Sequence, residues 1–182
     1  YLSAINDAIT EIGAIKIKDG QVIDTFSQLI NPERKIPEFI TNLTGITDEM
    51  VRDKPTIDKV ILEFNEFIKG TVLVAHNATF DVGFIREKLK LINLGLYNPV
   101  LDTLELARAV FPDLKNHKLD TIAKYLDISL ENHHRAVDDA TATMDIFLKT
   151  MDMLKTRGVN SFDDINRLNG NKDISKDEVF HI

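Results

Sequence analysis

Residues 9–30 read ITEIGAIKIK-DG-QVIDTFSQLI. An Ile-rich, partly alternating run, the pair Asp19-Gly20 and a second run from Gln21 to Ile30 spell strand, tight turn, strand. Asp-Gly tolerates the positive φ angles that two-residue hairpin turns demand, so this stretch predicts an antiparallel hairpin. Downstream, Pro37 opens a short helical stretch that stops at Gly45, and Thr56 is placed to cap a longer helix. In that helix Ile57, Val60, Ile61, Phe64, Phe67 and Ile68 recur at i, i+3, i+4 spacing, and Gly70 ends it. Residues 71–75 (TVLVA) form a short unbroken apolar run, the pattern of a strand buried on both faces.

Beyond this, the pattern predicts helices over about 78–91, 103–110 and 119–126, with a short strand near Val100. A long helix follows over about 137–154, with Ala140, Met144, Phe147, Leu148, Met151 and Leu154 facing inward. A hairpin followed by strands alternating with helices indicates an α/β fold with a sheet of mixed direction. Residues 155–182 are more polar, contain one capped turn at Ser161-Phe-Asp-Asp, and end on a strand-like Val179-Phe-His-Ile182.

The bulk numbers narrow the function classes. The length of 182 residues suits one domain plus a connecting segment. The absence of cysteine excludes disulfides, thiolate zinc sites and cysteine nucleophiles, and is compatible with a reducing cytoplasm. Neither a membrane-length apolar run nor a signal-peptide pattern is present. The formal charge is −7 and no dense Lys/Arg block exists. A chain that held nucleic acid by its own surface would show a basic stripe. Either nucleic acid is not the ligand, or metal ions and a neighbouring domain supply the missing positive charge.

Two segments can carry chemistry. In Ala75-His-Asn-Ala-Thr-Phe-Asp81 a strand passes into a helix, the place where open α/β sheets gather ligands, and a carboxylate there can hold a hard cation. Equally, Asn77 or Asp81 can simply cap the helix. In Asn132-His-His-Arg-Ala-Val-Asp-Asp-Ala140, His134 and Asp139 are five positions apart. Within one helix they would point about 140° apart, but if the helix starts near Val137, His134 can fold back toward Asp139. That arrangement suits a metal-bound Asp beside a His acting as general base. The plainer alternative makes the histidines loop residues, and makes Asp138 and Asp139 first-turn acids favoured by the helix dipole.

Five segments in order carry a family likeness: Leu43-Thr-Gly-Ile-Thr47, Ala75-His-Asn-Ala-Thr-Phe-Asp81, Leu101-Asp-Thr-Leu-Glu-Leu-Ala-Arg108, Asn116-His-Lys-Leu-Asp120 and His133-His-Arg-Ala-Val-Asp-Asp139. Over roughly residues 2–153 the chain resembles the DnaQ-like 3′→5′ exonucleases of the DEDDh group. In detail it looks most like the exonuclease domain embedded in bacterial PolC-type DNA polymerase III. The resemblance implies a ribonuclease H-like mixed sheet flanked by helices. It also implies two divalent cations, Mg²⁺ or Mn²⁺, a DNA 3′ end as substrate, and polymerase domains of the same chain as partners. Asp81 and Asp139 match metal-binding positions and His134 the general base, whereas no role is carried onto His133 or Asp138. Thr44, Gly45 and Ile46 resemble the loop against the 3′-terminal nucleotide, and Asn77 and Phe80 help shape that pocket.

The family's first motif, Asp-x-Glu, is expected immediately before Leu2, where only Tyr1 stands. Glu11 comes too late and belongs to the next strand. On this reading residues 1–154 form an exonuclease domain lacking its first, central strand, residues 155–182 lead toward the rest of a polymerase, and the chain by itself is weakly active or inactive. The other readings are a free-standing exoribonuclease of the same superfamily, a non-catalytic nucleic-acid-binding module, and a metal phosphohydrolase using His133, His134, Asp138 and Asp139. The last lacks further histidines at ligand spacing.

Overall fold

The computed structural model describes residues 8–130, 134–159, 161, 164 and 165. The hairpin forms from β1 (Glu11–Lys18) and β2 (Gln21–Leu29), paired antiparallel from Glu11↔Leu29 to Lys18↔Gln21. Asp19 and Gly20 take φ of 52° and 74°, the doubly positive turn whose twist matches that of the flanking strands. The register shifts between Lys16 and Ile17. Ile9 and Thr10, expected as strand, precede β1, although Thr10 still accepts a hydrogen bond from Ile30 N at 2.9 Å.

Strand periodicity of two then decides what covers each face of β1. Ile12 packs with Ile30, Val60, Ile61, Phe64, Ile68 and Leu89, and Ala14 and Phe26 close on the same cluster. The Phe26 ring meets Phe64 edge-on at 5.2 Å. On the alternate positions, Glu11 and Gly13 meet the first turn of the long helix: a Cβ placed on Gly13 would lie 2.4 Å from Ala136 C and Val137 N. Gly13 is therefore what lets a helix backbone lie directly on a strand.

After the hairpin come α1 (Glu38–Thr44), α2 (Asp48–Val51) and α3 (Ile57–Phe67). Gly45 ends α1 in the left-handed region, φ 72°, with its N–H on Thr41 O. Next come β3 (Leu73–Ala75), α4 (Ala78–Leu91), β4 (Val100–Asp102), α5 (Thr103–Val110), α6 (Leu119–Tyr125) and α7 (Ala136–Thr156). β3 and β4 pair in parallel, Leu73↔Val100 to Ala75↔Asp102. Antiparallel and parallel ladders in one domain make the mixed α/β architecture expected from the sequence. A second core gathers Leu101, Leu106, Ile122, Ile146 and Leu154 from β4, α5, α6 and α7.

Several boundaries differ from the sequence reading. The 71–75 run yields only three strand residues, and none of the run is fully buried. Thr71 closes the turn after α3 instead, its N–H and its hydroxyl both donating to Ile68 O. Among the described residues β3 pairs only with β4, so the strands form two ladders and not one. The expectation that the first, central strand is lacking before Leu2 falls outside the described residues, as do His133 and the stretch Val179–Ile182.

The buried stripe of α7 is Ala142, Thr143, Ile146, Thr150, Met151 and Leu154, so Ala140, Met144 and Leu148 are half-buried and not core. The helix lies between β1 and the α5–α6 pair, and two partly covered flanks result instead of one clean face. Packing also continues beyond residue 154, because Val159 and Ile165 bury in the second core.

Two glycines, one crowded and one in open space, provide a paired test. Gly13→Ala should destabilise the domain by about 1–3 kcal/mol through backbone collision. Gly83→Ala, inside α4 with open space around the new methyl, should stabilise it by roughly 0.5–1 kcal/mol. Urea midpoints read both, and equal midpoints would contradict the close β1–α7 approach.

Candidate active site

The loop from β3 into α4 is shaped by a carboxylate on the neighbouring strand. Asp102, at the end of β4, accepts from Asn77 N at 3.0 Å and Ala78 N at 2.9 Å, and from Leu104 N at 2.9 Å. One side chain thus satisfies orphan donors at the starts of both α4 and α5. Asn77 takes φ 66°, which few residues other than glycine adopt, and its N–H is held there by Asp102. The plainer alternative, that Asn77 caps α4, is not what occurs, since its side chain makes no capping bond.

His76 is half-buried beside this loop. Its Nε2–H donates to His117 O at 2.8 Å, and its Nδ1 lies 3.0 Å from the Thr103 hydroxyl. Burial holds its pKa below the ordinary value, so the ring is neutral and serves as a strut between β3, α5 and the 116–118 loop.

Asp81 stands in the first turn of α4. Asp81 is exposed on one side, yet partial desolvation by the protein around it, then the charges of Asp139 and Asp102, push its carboxyl up to about 6 from the ordinary 3.8. The charge of Asp139 thus reaches Asp81 across the fold, although the two residues lie 58 positions apart in the chain (139 − 81). Asp139 in turn sits in the first turn of α7, where its Oδ1 accepts from His134 N at 3.3 Å. His134 lies on the preceding loop at φ 76°, exposed, and folds back onto Asp139. α7 starts at Ala136, one residue before the expected Val137.

The N-terminus of α7 is held by Glu11, which the spacing had excluded as a metal ligand. Its Oε1 accepts from Arg135 Nη2 at 2.8 Å, and its Oε2 from Arg135 Nε at 3.2 Å and Ala136 N at 2.9 Å. Burial alone raises a carboxyl pKa, but these hydrogen bonds and the guanidinium charge outweigh it and hold Glu11 below its ordinary value. Neither Glu11 nor Asp102 was singled out from the sequence as a site residue. A lone acid inside an Ile-rich strand, and an Asp one residue before a helix start, were the available signals.

The remaining candidates lie at the end of α1 and in the first turn of α4. Gly45 and Thr44 form the end of α1, with Thr44 Oγ1 donating to Ile40 O and accepting from Ile46 N. The Ile46 side chain is 1% exposed and packs with Ile36 and Val51, so only its backbone is available to a ligand. Phe80 is 44% exposed, with Phe84 behind it at 5.0 Å. As donors, Asp81 and Asp139 are hard oxygen ligands whose mutual repulsion a cation would relieve, which fits a divalent ion in kind. Among the described residues no group of three His, Cys, Asp or Glu is arranged around one ion position, so the set is partial in number.

A family model described as exonuclease (RNase_T) matches residues 1–147. The chain belongs to the exonuclease family. A PolC-type DNA polymerase III of Caldanaerobacter subterraneus subsp. tengcongensis is 50% identical over 183 residues, covering 100% of this chain and 13% of the relative. The corresponding protein of Clostridium perfringens is 50% identical over 184 residues, and that of Bacillus subtilis 44% over 167. The chain thus spans about one eighth of these relatives, 12–13% of their length. Among solved structures, Exonuclease X in complex with 5′ overhanging duplex DNA superposes with TM-score 0.65 at 28% identity, over 91% of this chain and 93% of that one. Exonuclease I reaches TM-score 0.73 at 18% identity over 91% of this chain and 42% of that one, a likeness of fold. The DnaQ-like, ribonuclease H-like reading of the five sequence segments therefore holds.

The raised Asp81 carboxyl makes a signed prediction for the metal-free protein. A folded-state pKa above the unfolded one favours folding fully below about 3.8, and that contribution is lost as pH rises through about 6. Solvent reaches the side chain and screens the effect to on the order of 1 kcal/mol. Lowering pH from 7 to 4.5 should therefore add this increment in the unmodified chain and not in Asp81→Asn, read as the difference in their urea midpoints. Parallel pH profiles for the two proteins would show that Asp81 is not in an acidic cluster.

Proposed function

We propose that this chain is the metal-dependent 3′→5′ exonuclease segment of a PolC-type replicative DNA polymerase, removing nucleoside 5′-monophosphates from DNA 3′ ends during proofreading. The observation that carries the reading is the turn that folds His134 back onto Asp139, whose charge reaches Asp81, in a chain of the exonuclease family. Residues 1–154 would form the body of the domain. Residues 155–182, whose Val159 and Ile165 pack onto it, would lead onward to polymerase domains in a cytoplasmic enzyme. Among the described residues no helix is long and apolar enough to cross a membrane.

Asp81 and Asp139 are the residues that would hold divalent cations, Mg²⁺ or Mn²⁺, and the family's first-motif carboxylates would complete the set. Such a pair of ions, when bound, activates water and stabilises the attacking and leaving oxygens of a phosphodiester. His134, exposed on its loop, accepts the proton of the attacking water on its imidazole, the side chain most often used for that task. The backbone of Thr44, Gly45 and Ile46, with Asn77 and the exposed ring of Phe80, lines the position of the 3′-terminal nucleotide. The charge of −7 is then no obstacle, because the cations and the polymerase domains supply the attraction for the DNA backbone.

The test uses the full polymerase chain and a 3′-labelled single strand with Mg²⁺ or Mn²⁺. Asp139→Ala should abolish mononucleotide release while leaving the melting temperature unchanged or raised, since it removes carboxylate repulsion. His134→Ala should keep metal affinity and lower turnover by about 10²–10⁴-fold. Undiminished digestion by Asp139→Ala would sink the reading, and unchanged turnover in His134→Ala would move the general base elsewhere.

A further inference from the structure

We propose that Glu11 is a positioning residue for the exonuclease chemistry, setting His134 and Asp139 by clamping Arg135 and Ala136 at the start of α7; this rests on the function proposed above. Glu11 takes no ligand role in this arrangement. Its side chain is 7% exposed, and both oxygens are occupied by three donors from two successive residues.

Those donors belong to the hinge between the two site residues. Arg135 follows His134 directly and is the N-cap residue of α7, with no capping bond from its own side chain. Its carbonyl accepts from Asp139 N at 3.0 Å, and Asp139 Oδ1 accepts from His134 N. Fixing the Arg135 guanidinium and the Ala136 N–H on one carboxylate therefore restrains the residue between the candidate base and the candidate ligand. The carboxylate also does from another strand what an N-cap side chain does locally, and it places negative charge at the positive end of the helix. Gly13, two residues on and on the same face of β1, permits the approach that brings Glu11 within reach.

Glu11 is not what anchors α7 as a whole. The helix runs on to Thr156, and Ile146, Met151 and Leu154 hold its further half in the second core. Removing the clamp should loosen the first turn and leave the rest docked. A displacement of about 1 Å in a catalytic group costs up to about 10²-fold in rate, so the effect belongs in kcat. Glutamine is a poor substitute, because its amide NH₂ would face guanidinium or N–H donors on one side.

The experiment is run in the full polymerase chain with Glu11→Ala, Glu11→Gln, His134→Ala and the Glu11→Ala/His134→Ala double variant. Expected results are a fall in kcat of about 10–100-fold for Glu11→Ala with KM within about 2-fold, and an intermediate loss for Glu11→Gln. In the His134→Ala background, Glu11→Ala should cost clearly less than it does alone, because the part of its effect that acts through His134 is already lost and only the part through Asp139 remains. Hydrogen–deuterium exchange should rise over residues 134–141 and stay unchanged over 146–154. A kcat unchanged per folded molecule, or losses that multiply in the double variant, would overturn the proposal, as would unaltered exchange over 134–141. If the unmodified protein releases no mononucleotides, the exonuclease reading falls, and the exchange measurement still decides whether Glu11 sets the His134–Asp139 turn.

Discussion

The close contact of α7 with β1 is the constraint on which the arrangement depends. A helix normally stands off a strand by the depth of two side chains, yet here backbone meets backbone at Gly13, where even a Cβ would be 2.4 Å from Ala136 C. The contact costs the burial of helix N-terminal donors, and Glu11 offsets that cost by accepting from Ala136 N while holding Arg135. From this one junction follow the direction of α7, the place of Asp139 in its first turn, and the left-handed loop that turns His134 back over it.

Four carboxylates near the helix starts are sorted by what surrounds them. Glu11 and Asp102 each accept three donors and serve as fixed pieces of the scaffold. Asp81, exposed on one side, is pressed by partial desolvation and by the charges of Asp139 and Asp102, with no compensating donor among the causes of its shift. Both conditions are arranged by the same elements. The residue that orders the β3–α4 loop also adds to the charge that makes the Asp81 site suited to a cation. A scaffold acid and a candidate ligand acid cannot be told apart by residue type, only by the donors that reach them.

Much of the fold was legible from local chemistry. The Asp19-Gly20 turn, the Pro37 start and Gly45 stop of α1, and the i, i+3, i+4 stripe of α3 each follow from short-range rules, and each element formed where expected within two or three residues. Misreadings arose where packing on two sides competes with periodicity. Residues 71–75 are apolar enough for a five-residue strand, but Gly70 at φ 71° and the hydroxyl of Thr71 spend the first two residues closing the α3 turn. Along α7 the inward face was set one step aside, because β1 covers one flank and α5 and α6 the other, and a single-faced pattern does not describe that environment. Likewise Ile46 reads as part of a polar loop motif, while its side chain completes a small core with Ile36 and Val51.

The sequence by itself determined the element types and the exonuclease family likeness, and singled out Asp81, His134 and Asp139 as candidates, since turn chemistry, hydrophobic period and motif spacing are local properties of the chain. Tertiary structure alone decided which acids face one another and which are satisfied. Glu11 and Arg135 are separated by 124 positions, and Asp102 and Asn77 by 25, so no window of sequence contains either contact. Their pairing arises from the parallel register of β3 with β4 and from the missing side chain at Gly13, which let distant backbone donors converge on buried carboxylates. Coulombic coupling falls with distance in space and not along the chain, and for that reason the raised pKa of Asp81 became visible only once α4 and α7 were folded together.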